Sequence, residues 1–167
     1  MPQSFDPSIP GKWGIVMAIL VSGLIVGTLD ITAAIIQTLM ANRSPVAMLK
    51  FIASGIFGTE AIKGDFQYAV YGLCFHYGIA TGWSALLFLL YPKLKLLAKP
   101  RLVVGLWYGI FVWTMMNRVV LPLSNTPPLP FRLDLNLLKS MVVIIIAIGL
   151  PLSFLAHRYY KGIHGSN

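Results

Sequence analysis

Two ionisable residues stand apart in this chain. Asp30, in "VGTLDITAAI", is the only charge between Lys12 and Arg43, and His76, in "YGLCFHYGIA", sits in a second apolar run. A carboxylate and an imidazole can form an ion pair, titrate together to pass protons, or share a metal ion. Further polar residues flank them: Asn117 and Arg118, then Gln37, Lys50, Glu60, Tyr68 and Lys139. Recognisable catalytic machinery is missing. There is no Glu-x-x-His pair, Gly-x-Ser-x-Gly elbow, phosphate loop or aspartate-rich magnesium motif, so neither an enzyme nor a cofactor is expected. Cys74 and His76 are no nucleophile–base pair, because residues two apart on a helix point to different sides. Close ligand spacing such as His-x-x-His or Cys-x-x-Cys is absent too, so nothing local supports a metal held by Asp30, Glu60 and His76.

The elements that must position these groups are apolar. Of 167 residues, 57% are apolar and only 11% charged, about half the charge of a soluble domain. Several apolar runs reach about 20 residues, the length that crosses about 30 Å of hydrocarbon as helix. The expected fold is an all-α integral membrane protein with four transmembrane helices and one short interfacial or re-entrant helix. The net charge of +8 does not indicate nucleic acid, because the cations flank apolar runs instead of forming a stripe with interleaved aromatics. The lone Cys74 forms no internal disulfide and is read as a small residue packed within the membrane.

Residues 1–12 read as a cytoplasmic tail, 13–158 as the membrane domain and 159–167 as a C-terminal tail. The first span is placed at about 13–40 and read as retained, because its apolar stretch far exceeds that of a cleaved leader. "RSPVAMLKFIASGIFGTE" supplies the short helix, about 45–58, with proline at its first position. It has too few apolar residues to cross and contains Lys50. The other spans are placed at about 66–91, 102–121 and 137–156. Pro122 is expected to stop the third, the proline-rich "PLSNTPPLPF" to form a helix-free link, and Pro151 to kink the fourth. Four spans put both ends of the chain on one face. The short loop from Lys93 to Arg101 on that face carries four cations in nine residues, which points to a cytoplasmic location for both termini. A bacterial inner membrane is the expected site.

Counted along the helices, Asp30 lies about ten residues inward from Met40 and His76 about ten inward from Phe66, each roughly 15 Å deep. A charged acid at mid-membrane costs about 2.5–3.5 kcal/mol, so Asp30 should face the bundle and find a partner. Arg118 could snorkel outward or bend inward towards it. Gln37, Lys50, Tyr68 and Lys139 could complete an outer polar layer, while the inner half reads as almost purely apolar. Three readings stay open: internal glue between helices, an outward-facing cavity for a ligand or protons, and a metal site.

Gly23/Gly27, Gly78/Gly82 and Gly105/Gly109 form Gly-x-x-x-Gly faces that let helix backbones approach, within one monomer or in a homodimer. Trp13, Trp107, Tyr91, Tyr159 and Tyr160 read as interface anchors, and His157 and His164 as ordinary interfacial residues.

The stretches "GTLDITAA", "KFIASGIFG", "YAVYGLCFHYGIA", "YGIFVW" and "VVLPLS" resemble a group of small bacterial four-span inner-membrane proteins of unknown function. The resemblance covers most of 23–155 and rests on Asp30, an Ala53-Ser54-Gly55 turn, Gly58, Gly72, His76, Gly109, Pro122 and Gly149-Leu150-Pro151. It implies a shared fold and no activity, and "TEAIKGDFQ" departs from it by being more charged. The sequence thus leads to a non-enzymatic structural or accessory membrane protein, with the lipid bilayer as its partner. The alternative is a proton-linked small-solute transporter or ligand-binding protein using Asp30, His76 and Arg118.

Overall fold

A computed structural model of the protein describes residues 12–127 and 135–164. Within them the chain forms helices and turns, with no strand. The helices are α1 (Lys12–Met40), α2 (Pro45–Phe57), α3 (Thr59–Lys63), α4 (Gln67–Lys93), α5 (Arg101–Met115), α6 (Leu121–Leu123), α7 (Leu135–Ile144) and α8 (Leu150–His164). Two π-helical turns, Met116–Val120 and Ile145–Gly149, join α5 to α6 and α7 to α8. Four stretches are long and apolar enough to cross a membrane: Gly14–Met40, Gln67–Lys93, Arg101–Leu123 and Leu137–Gly162. Their outward faces are apolar as well, with Leu24, Leu102, Trp107 and Ile146 largely exposed.

The bundle is two helix pairs. α1 packs along α4, and α5 packs along α7, the π turn after it and α8. The pairs join where α1 and α4 meet α8, around a core that includes Val26, Leu87, Phe88, Val112, Leu152 and Ala156. Two glycine faces make the close contacts inside this single chain. Gly23 and Gly27 lie against Thr81, Tyr77 and Ala80 of α4, and Gly105 and Gly109 against Leu150, Ile145 and Gly149. The third face does not: a Cβ added at Gly78 or Gly82 would meet nothing within 4 Å. Cys74 is likewise exposed, on α4, not packed inside the bundle.

Local chemistry sets the helix ends. α1 stops where Asn42 adopts the left-handed conformation (φ 53°) and Arg43 N–H donates to Thr38 C=O at 2.9 Å, a Schellman-type closure. Ser44 then caps α2, its Oγ accepting from Ala47 N–H at 3.4 Å ahead of Pro45. The Ala53-Ser54-Gly55 turn is corrected to helix, with Ser54 Oγ donating back to Phe51 C=O. The reversal comes at Gly58, whose φ of +62° suits a residue without Cβ. α2 crosses α4 at Gly72, where a Cβ would run into the Leu49 carbonyl. Its last turn is tied to the chain after α6, since Asn125 donates N–H to Gly55 C=O (3.0 Å) and Nδ2 to Ile56 C=O (2.8 Å).

The third and fourth long helices each continue past a proline. The third long helix does not stop at Pro122 but runs through it to Leu123, and the fourth passes Pro151 and continues to His164, taking in the start of the expected C-terminal tail. Leu-Pro-Leu-Ser occurs at 121–124 and again at 150–153, each time just after a π turn of five residues. A proline removes the N–H that would bond one turn back and crowds that turn. The wider winding of a π turn makes room for the ring, so the helix goes on. Of the proline-rich link, 128–131 lie outside the described residues, as do residues 1–11 with Asp6, then Arg132, Asp134 and 165–167. The side chains of Trp13 and His164 are also outside them.

Candidate functional site

The close approach of α1 to α4 creates the polar contact. Because Gly27 lacks a side chain, Tyr77 and the backbone of α4 come against it; a Cβ there would lie 2.9 Å from the Tyr77 ring. His76 Nε2 reaches the Gly27 carbonyl at 2.9 Å. A carbonyl only accepts, so Nε2 carries the proton and donates it. Asp30 lies almost one turn further along α1, with Oδ2 4.0 Å from the same Nε2. At that separation the pair is ionic only when the imidazole is protonated, and it is too long for a hydrogen bond. The side chains of His76 and Asp30 keep 12% and 21% of their surface open. Beside them the hydroxyls of Thr28 and Tyr77 are 3.0 Å apart, and the His76 and Tyr77 rings meet edge to face. Three polar links thus join α1 to α4 over four residues of α1.

The other candidate residues go elsewhere. Asn117 Nδ2 donates to the Trp113 carbonyl of its own helix at 2.8 Å, from the first π turn. Arg118 is exposed on the same π turn. Lys50 Nζ donates to Gly64 C=O at 2.6 Å, and Tyr68 OH donates to Glu60 Oε1 at 2.7 Å. Those bonds hold the α2–α3–α4 corner together, with Phe57 packed on Tyr68, Tyr71 and Phe75. Gln37 and Lys139 are exposed. No group of three His, Cys, Asp or Glu side chains suited to a metal occurs among the described residues. Chemically, the Asp30–His76 site can bind two helices together or exchange a proton.

The half of the bundle that holds Tyr91 and Tyr160 was expected to be almost purely apolar, and it is not. Tyr91 and Tyr160, read as interface anchors, are buried and stacked, with ring centres 5.3 Å apart. Tyr160 OH donates to Phe88 C=O at 2.7 Å, Tyr108 OH to Trp83 C=O at 2.6 Å, and Ser153 Oγ to Arg101 C=O at 2.8 Å. Tyr91 OH and His157 Nδ1 are 3.2 Å apart. Each hydroxyl satisfies itself on backbone or a neighbouring ring, which makes burial tolerable. The available signal was spacing: His157 and Tyr160 are three apart and so share a helix face. Trp107, by contrast, is exposed.

These features define a class: an all-helical chain with four candidate membrane-crossing helices and a histidine–carboxylate contact between the first two. No family model matches the chain, and no curated protein or solved structure matches it either.

Proposed function

We propose that this is a multi-pass protein of the bacterial inner membrane, with both termini cytoplasmic, and that its role is structural or accessory and not enzymatic. In this reading α2 lies in the outer interface, and Asp30 and His76 act as internal glue. The single observation that carries it is the bond from His76 Nε2 to the backbone carbonyl of Gly27, which commits the imidazole proton to helix pairing. Interhelical hydrogen bonds are a common adhesive where apolar surroundings give helices little reason to associate.

Asp30 keeps part of its surface open, and this supports the second reading, a proton-linked transporter or ligand-binding protein. One pair of variants separates the two. Under the glue reading, Asp30→Asn keeps a hydrogen-bonding group and unfolds close to wild type in detergent, whereas Asp30→Leu unfolds at lower temperature. Under the transport reading, Asp30→Asn folds normally and abolishes a pH-dependent flux in proteoliposomes. Wild-type flux that disappears in a fully folded Asp30→Asn protein overturns the glue assignment.

A further inference from the structure

The end of the bundle where α5 begins and α8 finishes holds a cavity of about 600 Å³. Its polar lining is entirely basic or imidazole: Arg101 from α5 and His157, Arg158 and Lys161 from α8. Phe154 and Leu155 form its apolar wall. No acid lines it; the acids among the described residues are Asp30, Glu60 and Asp65, none of them part of this cavity. Three cations gathered on one lining repel one another, so the cavity favours an anion.

Two of these groups are held in place by neighbours. The Arg101 guanidinium lies 4.8 Å from the centre of the Phe154 ring, and its backbone carbonyl accepts from Ser153. His157 Nδ1 contacts the hydroxyl of buried Tyr91. Arg101 also opens α5, so the first N–H groups of that helix add partial positive charge on the same side.

We infer that this cavity binds a phosphate-bearing anion, supplied by the headgroup of an anionic membrane lipid. The phosphate oxygens accept from Arg101, Arg158 and Lys161, and Phe154 and Leu155 receive the first carbons of the lipid's glycerol and acyl chain. A free phosphate would satisfy the cations but leave the apolar wall unused. The inference rests on the membrane reading above. That reading is tested separately, by whether the protein needs detergent to leave the membrane fraction.

The test uses the full chain purified in a neutral detergent. Binding is measured by calorimetric titration with three probes: short-chain phosphatidylglycerol, phosphatidylcholine of the same chain length, and inorganic phosphate at matched ionic strength. Phosphatidylglycerol should bind and the other two should bind at least about tenfold more weakly. Each cation near such a headgroup contributes roughly a fivefold change, so R101Q/R158Q together should weaken phosphatidylglycerol about 30-fold. If that double variant does not fold, K161Q alone should weaken it about fivefold. K93Q/K95Q, which removes two cations from the neighbouring loop, should leave affinity within about twofold. Equal binding of both lipids, equal binding of inorganic phosphate, or equal loss in K93Q/K95Q each overturns the inference.

Discussion

Near the α2 end, α4 is joined to α1 by an imidazole and a carboxylate that both keep part of their surface open. Towards the opposite end it is joined to α8 by Tyr91 and Tyr160, two stacked and buried rings. The contrast follows from what each group demands. A neutral hydroxyl needs one good acceptor and can then be sealed off, whereas a carboxylate needs several and is expensive to bury. The ionisable groups that draw attention in the sequence are therefore not the most deeply buried polar groups. Tyr91 and Tyr160 are buried where Asp30 and His76 are part-exposed, and they carry their rings' packing with them.

The largest way to break this contrast is Tyr91→Ala. It removes a fully buried ring stacked between helices and should lower stability by about 3 kcal/mol, read as reversible unfolding in detergent. His76→Leu should lower it by about 1–2 kcal/mol, through loss of the Gly27 bond and of the neighbour of Asp30. A His76→Leu loss exceeding that of Tyr91→Ala would reverse the ranking of the two ends. Tyr160→Phe keeps the stacked ring and deletes the hydroxyl with its bond to Phe88 C=O, so about 0.6 kcal/mol should be lost. At the small end stands Trp83→Phe. The Trp83 Nε1 is buried with no hydrogen-bond partner among the described residues, so removing it should be neutral or slightly stabilising in the same assay.

The sequence revealed depth better than direction. Counting residues from the same face put Asp30 and His76 level, and the two side chains come within 4.0 Å. Asn117 and Arg118 were grouped with them as polar residues of the same half, with Arg118 able to snorkel outward or bend inward, but depth does not say which way a side chain points. A π turn at 116–120 also alters the regular progression of side-chain directions just there. α1 and α2 were readable because their ends carry local signals, Asn42 on one side and Ser44-Pro45 on the other. The third helix runs one residue past Pro122, where a stop was expected, because a proline's ordinary effect assumes that an ordinary α-turn precedes it. Tyr91 and Tyr160 were misread because a tyrosine near the end of an apolar run looks the same whether it faces outside or a neighbouring helix. Only the pairing of α4 with α8 distinguishes them.

The twin widened turns bear on how the chain tolerates change in length. Each coil of 4.4 or so residues accommodates one residue more than an ordinary coil, while the stretches before and after keep facing their own neighbours. Residues 116–120 and 145–149 thus each contain a spare position. Excising one residue there would shorten the helix while leaving its two halves in step. Excising one from 103–112 would instead swivel everything downstream by about 100° and carry Arg118 to a different side.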